Sequence, residues 1–282
     1  MSPRTMEASK TKNELPKVIL FGASLTAWSF DTSHGKGFGD VLAKHYGGRA
    51  EVVNEGQPGG TSNTMAGDFI RIVSSLSETT IPPLLITIFL GANDACLFPP
   101  QVHVPLEKYS SNLRSFVDDV LNSPYAPTTK ILLITPPPIN ISAAHAQKKA
   151  TYLNREDEDF EQKWEADCRD NYAWKTWASK KKYADEVVKI SHDYAEAGMG
   201  DRVAVFDLWR VMINHELREA ALPTLKEGRV NLEENGRWPG CGLPHAKGFA
   251  KGVFSDGLHF GEKVSSCPPF QTFLYRSSTL TA

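Results

Sequence analysis

Apolar positions along this chain fall into two patterns. One is the short unbroken run, and the other is a return every three or four residues. The runs Val18–Phe21, Leu84–Leu90 and Lys130–Thr135 read as strands buried on both faces, and Pro136-Pro137-Pro138 ends the last of them. Glu51-Val52-Val53 and Arg202–Phe206 read as two further strands. Between them the spacing is helical. Phe38, Val41, Leu42 and Tyr46 share a face over Phe38–Tyr46, which Gly47-Gly48 stops. Met65, Phe69, Ile72, Val73 and Leu76 form the stripe of a helix over Thr61–Leu76. Leu113, Phe116, Val117 and Val120 do so over Leu106–Leu121, and Tyr183–Ala197 completes the series. Alternation of this kind predicts an α/β fold, a five-stranded parallel sheet with helices on both faces.

Two segments fall outside that unit. Ile141–Lys182 is polar, charged and rich in tryptophan (Trp164, Trp174, Trp177). Ala221–Lys251 carries Gly, Pro, Trp238, Cys241 and His245. Long insertions of this type serve as lids or specificity walls, or as surface decoration and oligomer contacts, and both readings stay open. We expect one domain over 17–262 with insertions near 141–182 and 221–251, a flexible polar tail at 1–16, and an atypical tail at 263–282 in which Pro268-Pro269 blocks a helix.

Composition narrows the field. The chain has 282 residues, of which 41% are apolar, enough for a sizeable core. A net charge of -2 argues against nucleic acid or an anionic membrane as partner. No run is long enough to span a bilayer, and no secretory leader is evident. The four cysteines, Cys96, Cys168, Cys241 and Cys267, form no CxxC pair, so neither a disulfide framework nor a zinc site is expected. A cytoplasmic setting is the simplest expectation.

The candidate chemistry lies in loops that follow strands. In a parallel sheet, ligands bind beyond the C-terminal strand ends. Ser24 follows the first strand, Gly59 the second and Asn93 the third. Late in the chain comes Asp256-Gly257-Leu258-His259. A serine hydroxyl needs a base to take its proton, and a carboxylate three residues before a histidine can reach that ring and fix its tautomer. Backbone N–H groups of Ser24 and Gly59, with the Asn93 amide, would receive the oxyanion of acyl transfer, each donor being worth roughly 3–4 kcal/mol of barrier. Each loop alone has an ordinary reading: a helix cap for Ser24, a turn for Gly91-Ala92-Asn93-Asp94, a glycine loop for Gly59-Gly60. Together they make one pocket. Asp94 reads as a turn-shaping residue, Asp31 and His34 as polar loop residues, and the other histidines show no paired metal spacing.

These blocks resemble the SGNH hydrolases, also called GDSL-type esterases, and within them the isoamyl acetate-hydrolysing esterase group, particularly its fungal members. Phe21-Gly22-Ala23-Ser24-Leu25-Thr26, Gly59, Gly91-Ala92-Asn93-Asp94-Ala95, Ile134-Thr135-Pro136-Pro137-Pro138 and Asp256-Gly257-Leu258-His259-Phe260 carry the likeness. It implies a three-layer α/β/α sandwich with a five-stranded parallel sheet in flavodoxin-like order. It also implies Ser24 as nucleophile, His259 as base, Asp256 as its orienting partner, and Ser24, Gly59 and Asn93 as the oxyanion hole. The implied reaction is hydrolysis of a small carboxylic ester through an acyl-serine, with no metal and no cofactor. Two departures stand out. Ala23 occupies the place of the family's aspartate, and the C-terminal tail lacks the spacing of the amphipathic helix that usually follows the histidine, so we expect a poorly buttressed His259.

The same machinery also serves a deacetylase, a lysophospholipase or thioesterase, or an acyltransferase. A scaffold on an esterase fold is the reading from another class, motivated by the tail and opposed by the intact Ser24, Asn93, Asp256 and His259. A nucleotide-binding module shares the sheet order but lacks a GxxxxGK[ST] or GxGxxG loop after the first strand.

Overall fold

The strands expected from the apolar runs all form. The structure, a computed structural model, describes residues 14–31, 37–97, 102–141, 173–220, 238–242 and 246–263. Strands β1 (Lys17–Gly22), β2 (Glu51–Gly56), β3 (Leu85–Phe89), β4 (Lys130–Ile134) and β5 (Val203–Phe206) make one sheet of order β2-β1-β3-β4-β5. Every pairing is parallel: Val18 lies opposite Val52 on one side and Leu85 on the other, and Ile131 lies opposite Ile86 and Val203. The chain therefore crosses back over the sheet between strands. It does so through helices α1 (Ser24–Ala27), α2 (Phe38–Tyr46), α3 (Ala66–Ser75), α4 (Leu106–Leu121) and α5 (Ala173–Tyr194), and α6 (Leu208–Glu219) follows the last strand.

Strand residues alternate between two apolar layers because successive side chains point to opposite faces. Val18, Leu20, Leu132 and Ile134 pack with Phe38 and Leu42 of α2 and with Trp209, Met212 and Ile213 of α6. Ile19, Phe21, Ile131 and Leu133 pack with Phe69 of α3, Phe116 and Val117 of α4, and Val187 and Ile190 of α5. Phe21 sits edge-on to Phe69 and Phe116, with ring centroids 4.8 Å and 5.8 Å away. Each such side chain, fully buried, contributes about 1.5–3 kcal/mol of transfer free energy. With both faces committed to packing, the strand ends are the part of the sheet left for ligands.

The short helix α1 was not among the expected elements, and four others differ from the expectation, each for a local reason. Strand β2 runs on through Asn54-Glu55-Gly56, because an edge strand that is half exposed needs no apolar run. Helix α3 starts at Ala66 rather than Thr61. Thr61 and Thr64 tie a turn instead, the Thr61 N–H donating to Thr64 Oγ1 at 2.9 Å and the Thr64 N–H to Thr61 Oγ1 at 3.2 Å. Helix α5 begins at Ala173, ten residues before Tyr183, so the end of the first expected insertion is a packed helix with Trp177 buried in it. Helix α6 was not anticipated. Its signal is Asp207, whose carboxylate accepts from the Arg210 N–H at 3.0 Å, followed by buried Leu208, Trp209, Met212, Ile213 and Leu217.

The described part of the second insertion is likewise core. Cys241 and Phe249 are buried, and Trp238 stacks on Trp177 at 6.2 Å. His34, His145, His245, Trp164 and the tail from 264 to 282 lie outside the described residues. Among the described residues no helix is long and apolar enough to cross a membrane.

Candidate active site

Ser24 follows β1 in the first turn of α1. Ala23 holds the cap position, so the serine hydroxyl is not consumed in capping. Its N–H, in the first helical turn, has no acceptor within the helix. The turn is held by its backbone, Ala23 O accepting from the N–H groups of Thr26 at 3.0 Å and Ala27 at 2.9 Å, and by Asn54 of β2, whose Nδ2 donates to the Ala27 carbonyl at 3.0 Å. A side chain at 23 is thus not needed to shape it, and Ala23 is buried among the α3 and α4 layer. Gly22 is required just before it: a Cβ there would lie 2.5 Å from the Phe89 carbonyl oxygen.

Across the strand ends, Ser24 Oγ lies 2.9 Å from His259 Nε2. His259 Nδ1 lies 2.5 Å from Asp256 Oδ2. The other carboxylate oxygen, Asp256 Oδ1, accepts the N–H groups of Leu258 at 3.0 Å and His259 at 2.7 Å. The short Asp-x-x-His segment thus closes on itself, as an Asp side chain does when it caps its own turn. Burial pushes the Asp256 carboxyl up. Hydrogen bonds from the His259 ring and from the His259 and Leu258 N–H groups, with the attraction of the imidazolium, outweigh it and bring the group down to about 2. It is ionised at neutral pH, and an ionised carboxylate fixes the proton on Nδ1, which leaves Nε2 to accept from Ser24.

The tail on which the expected weak support of His259 rests lies outside the described residues, and within them the histidine's own segment is tied locally. The Ser255 N–H donates to the His259 carbonyl at 2.9 Å, Phe254 bridges Phe260, and the Gly261 N–H donates to Val253 at 2.9 Å. The Gly257 carbonyl accepts from the Asn140 N–H, beyond β4, at 2.7 Å. On the open side the half-exposed Trp28 ring packs on the His259 ring with centroids 4.4 Å apart. Neither Trp28 nor Asn140 was visible as a site residue in the sequence, because nothing in their spacing ties them to His259.

The other two loops reach the same edge. Asn93 Nδ2 donates to the Gly60 carbonyl at 2.8 Å, which joins the third loop to the second. A primary amide has two N–H donors, so one remains after that bond. Gly59 has φ +77°, which a side chain would strain, and a Cβ there would meet nothing within 4 Å. Its backbone therefore borders open space, and its N–H has no hydrogen-bond partner among the described residues. Asp94 fixes both loops from beneath. It is fully buried, with Oδ1 accepting the Ser62 N–H at 2.8 Å and Oδ2 the Gly91 N–H at 3.2 Å. Burial pushes its carboxyl up, against the hydrogen bonds from Ser62 and Gly91. Asn112 Nδ2 extends the network to Ser62 Oγ at 3.0 Å.

This predicts a stability effect. Asp94→Ala strands two buried N–H groups, at about 1–3 kcal/mol each. We expect the free energy of unfolding to fall by about 3 kcal/mol, read as a lower urea midpoint at an unchanged slope. A change under about 0.5 kcal/mol would show that the loops hold without it.

A doubly wound sheet of this order, with a serine after β1 facing a late Asp-x-x-His, defines the SGNH hydrolase fold class. The chain belongs to the family described as GDSL-like lipase/acylhydrolase, whose model matches residues 18–266. It is 37% identical over 140 residues to a GDSL esterase/lipase of Arabidopsis thaliana, covering 49% of this chain and 55% of that protein. It is also 37% identical over 141 residues to an isoamyl acetate-hydrolyzing esterase 1 homolog of Rattus norvegicus, again 49% of this chain and 55% of the relative. The chain thus spans about half the length of the curated relatives it matches. Among solved structures, a catalytic mutant of an acetylxylan esterase from Geobacillus stearothermophilus aligns with TM-score 0.54 at 14% identity, covering 95% of both chains. That likeness is one of fold.

Proposed function

We propose that this protein hydrolyses small carboxylic esters, acetate-type esters foremost, through an acyl-Ser24 intermediate. The observation that carries the reading is the hydrogen-bonded line from Ser24 Oγ through the His259 ring to Asp256, at 2.9 Å and 2.5 Å. Family membership and relatives named for isoamyl acetate hydrolysis support it.

In this reading His259 Nε2 takes the Ser24 proton as Oγ attacks the ester carbonyl. Asp256 holds the ring and stabilises the imidazolium. The carbonyl oxygen becomes an oxyanion that accepts from the N–H groups of Ser24 and Gly59 and from the second Asn93 N–H. His259 then protonates the departing alcohol. Water then attacks the acyl carbon as the same nitrogen takes its proton, and that proton passes to Ser24 Oγ as the acyl–oxygen bond breaks and the acid leaves. The residues invoked hold every proton that moves, so this reading needs no metal or cofactor. We place the protein in the cytoplasm, a setting that four widely scattered cysteines with no CxxC pair suit.

Asn93→Ala tests the oxyanion site. We expect kcat to drop about 100- to 1000-fold, the range for loss of one such donor, with KM changed far less. Unaltered kcat would remove Asn93 from the site. A panel of acetyl, butyryl and octanoyl esters tests the substrate class. Highest kcat/KM on acetyl esters is the expected order, and preference for octanoyl would redirect the reading to a lysophospholipase.

A further inference from the structure

The proposed chemistry leaves unused an almost fully buried lysine that reaches the Asn93 loop. Lys180 of α5 is 2% exposed and sits within the run Lys180-Lys181-Lys182. Its ammonium donates to the carbonyl of Ala92, the residue between Gly91 and Asn93. The residue before it does the same to the far end of that loop, Ser179 Oγ donating to the Ala95 carbonyl at 2.8 Å. Tyr109 Oη holds the near end through the Leu90 carbonyl at 3.1 Å. The Gly91–Ala95 loop therefore hangs from three donors on α4 and α5, and only the central one is charged.

The geometry points to Lys180 as a positioning residue of the oxyanion hole, one that sets Asn93 through the Ala92 carbonyl and places a buried positive charge behind the loop. This inference rests on the esterase reading above. The Ala92 carbonyl and the Asn93 N–H belong to one planar peptide. An ammonium on that oxygen fixes the peptide plane and so the direction in which the Asn93 side chain leaves it. Asn93 Nδ2 is fixed at its other end by the Gly60 carbonyl at 2.8 Å. A side chain tied at both ends presents its second N–H without reorganising when charge develops, and preorganisation is what makes such donors effective.

The charge adds a second effect. A unit charge in a water-poor interior acts over several ångströms with little screening, so a buried ammonium favours a nearby oxyanion over the neutral ester. Asp94, also buried on this loop, partly offsets it. Burial pushes the Lys180 ammonium's pKa down, while Cys96 and Asp94 pull it up. A bare structural counter-ion to Asp94 would stabilise the fold equally with or without substrate. A positioning residue acts on the tetrahedral state alone, and the two roles are separable by measurement.

The test uses the full chain with p-nitrophenyl acetate and a small alkylboronic acid, which forms a tetrahedral anion on an activated serine. For Lys180→Met we expect kcat to fall about 10- to 50-fold with KM within about twofold, less than for direct loss of a donor. Boronate affinity should weaken by the same factor as kcat/KM. Lys180→Gln, which keeps an uncharged N–H, should recover part of the loss, and it serves as the main comparison if the Met variant does not fold. Ser179→Ala provides the contrast: thermal stability falls, but boronate affinity does not follow. Loss of stability in Lys180→Met with wild-type kcat, or lost kcat with unchanged boronate affinity, would overturn the inference while leaving the esterase reading intact. A wild type that neither turns over ester nor binds boronate would overturn both.

Discussion

Ser24→Ala is expected to lower kcat for p-nitrophenyl acetate by a factor of about 10,000 to 1,000,000, as loss of the nucleophile does in serine hydrolases built on the same relay. Binding should survive, because the proposed oxyanion donors are the backbone N–H groups of Ser24 and Gly59 and the Asn93 amide, which the change leaves in place. The fold should survive too. The Ser24 hydroxyl has His259 Nε2 as its partner and caps nothing, and α1 is tied by the Ala23 carbonyl. Its removal takes no donor from a buried backbone group, so the melting temperature should move by no more than about 2 °C. Steady-state kinetics and a thermal melt on the same samples check both parts. Retention of more than about a tenth of the activity would place the nucleophile elsewhere.

Asp256→Asn should have the second largest effect, about a 10,000-fold loss of kcat. The amide is nearly the size of the carboxylate but presents a donor to one side of the turn. It can no longer hold the proton on His259 Nδ1, and Nε2 loses its lone pair toward Ser24. The same carboxylate couples stability to pH. Its folded pKa is depressed to about 2, below the ordinary value of 3.8. The stability it contributes is therefore present above about pH 4 and lost as pH falls through about 2. Acid unfolding of the wild type should steepen across that window, and the Asn variant should lack that component. An Asn variant with kcat within tenfold of wild type would show that His259 is oriented by other groups.

Much of this site can be read in the sequence because strands buried on both faces advertise themselves. Val18–Phe21, Leu84–Leu90 and Lys130–Thr135 have no polar alternation to confuse them, and the loops that follow carry Ser24 and Asn93. The parallel order then brings loops from distant segments to one edge without further information. What escaped was set by tertiary contact. Edge strand β2 continues through polar residues because one side faces solvent. Helix α5 hides its first turns, since a run of three lysines reads as a solvated face although Lys180 and Lys181 are buried. The burial of Lys180 is offset by its bond to the Ala92 carbonyl, which belongs to another segment, and no local pattern encodes it. Trp28 is likewise defined by His259, which lies more than two hundred residues away. The tail from 264 to 282, where the sequence departs from the family pattern, lies outside the described residues; among the described ones, Asn140 and the turn's own backbone bonds hold the His259 segment.

The most direct test is covalent labelling of the wild-type chain with a fluorophosphonate, with the modified peptide identified by mass. An activated serine attacks such a probe only when a base and oxyanion donors are assembled around it. The predicted result is stoichiometric modification of Ser24 and of no other serine, abolished in Ser24→Ala. A folded protein that takes up no label, or takes it up at another serine, would contradict the proposed esterase and favour a binding protein built on the same fold.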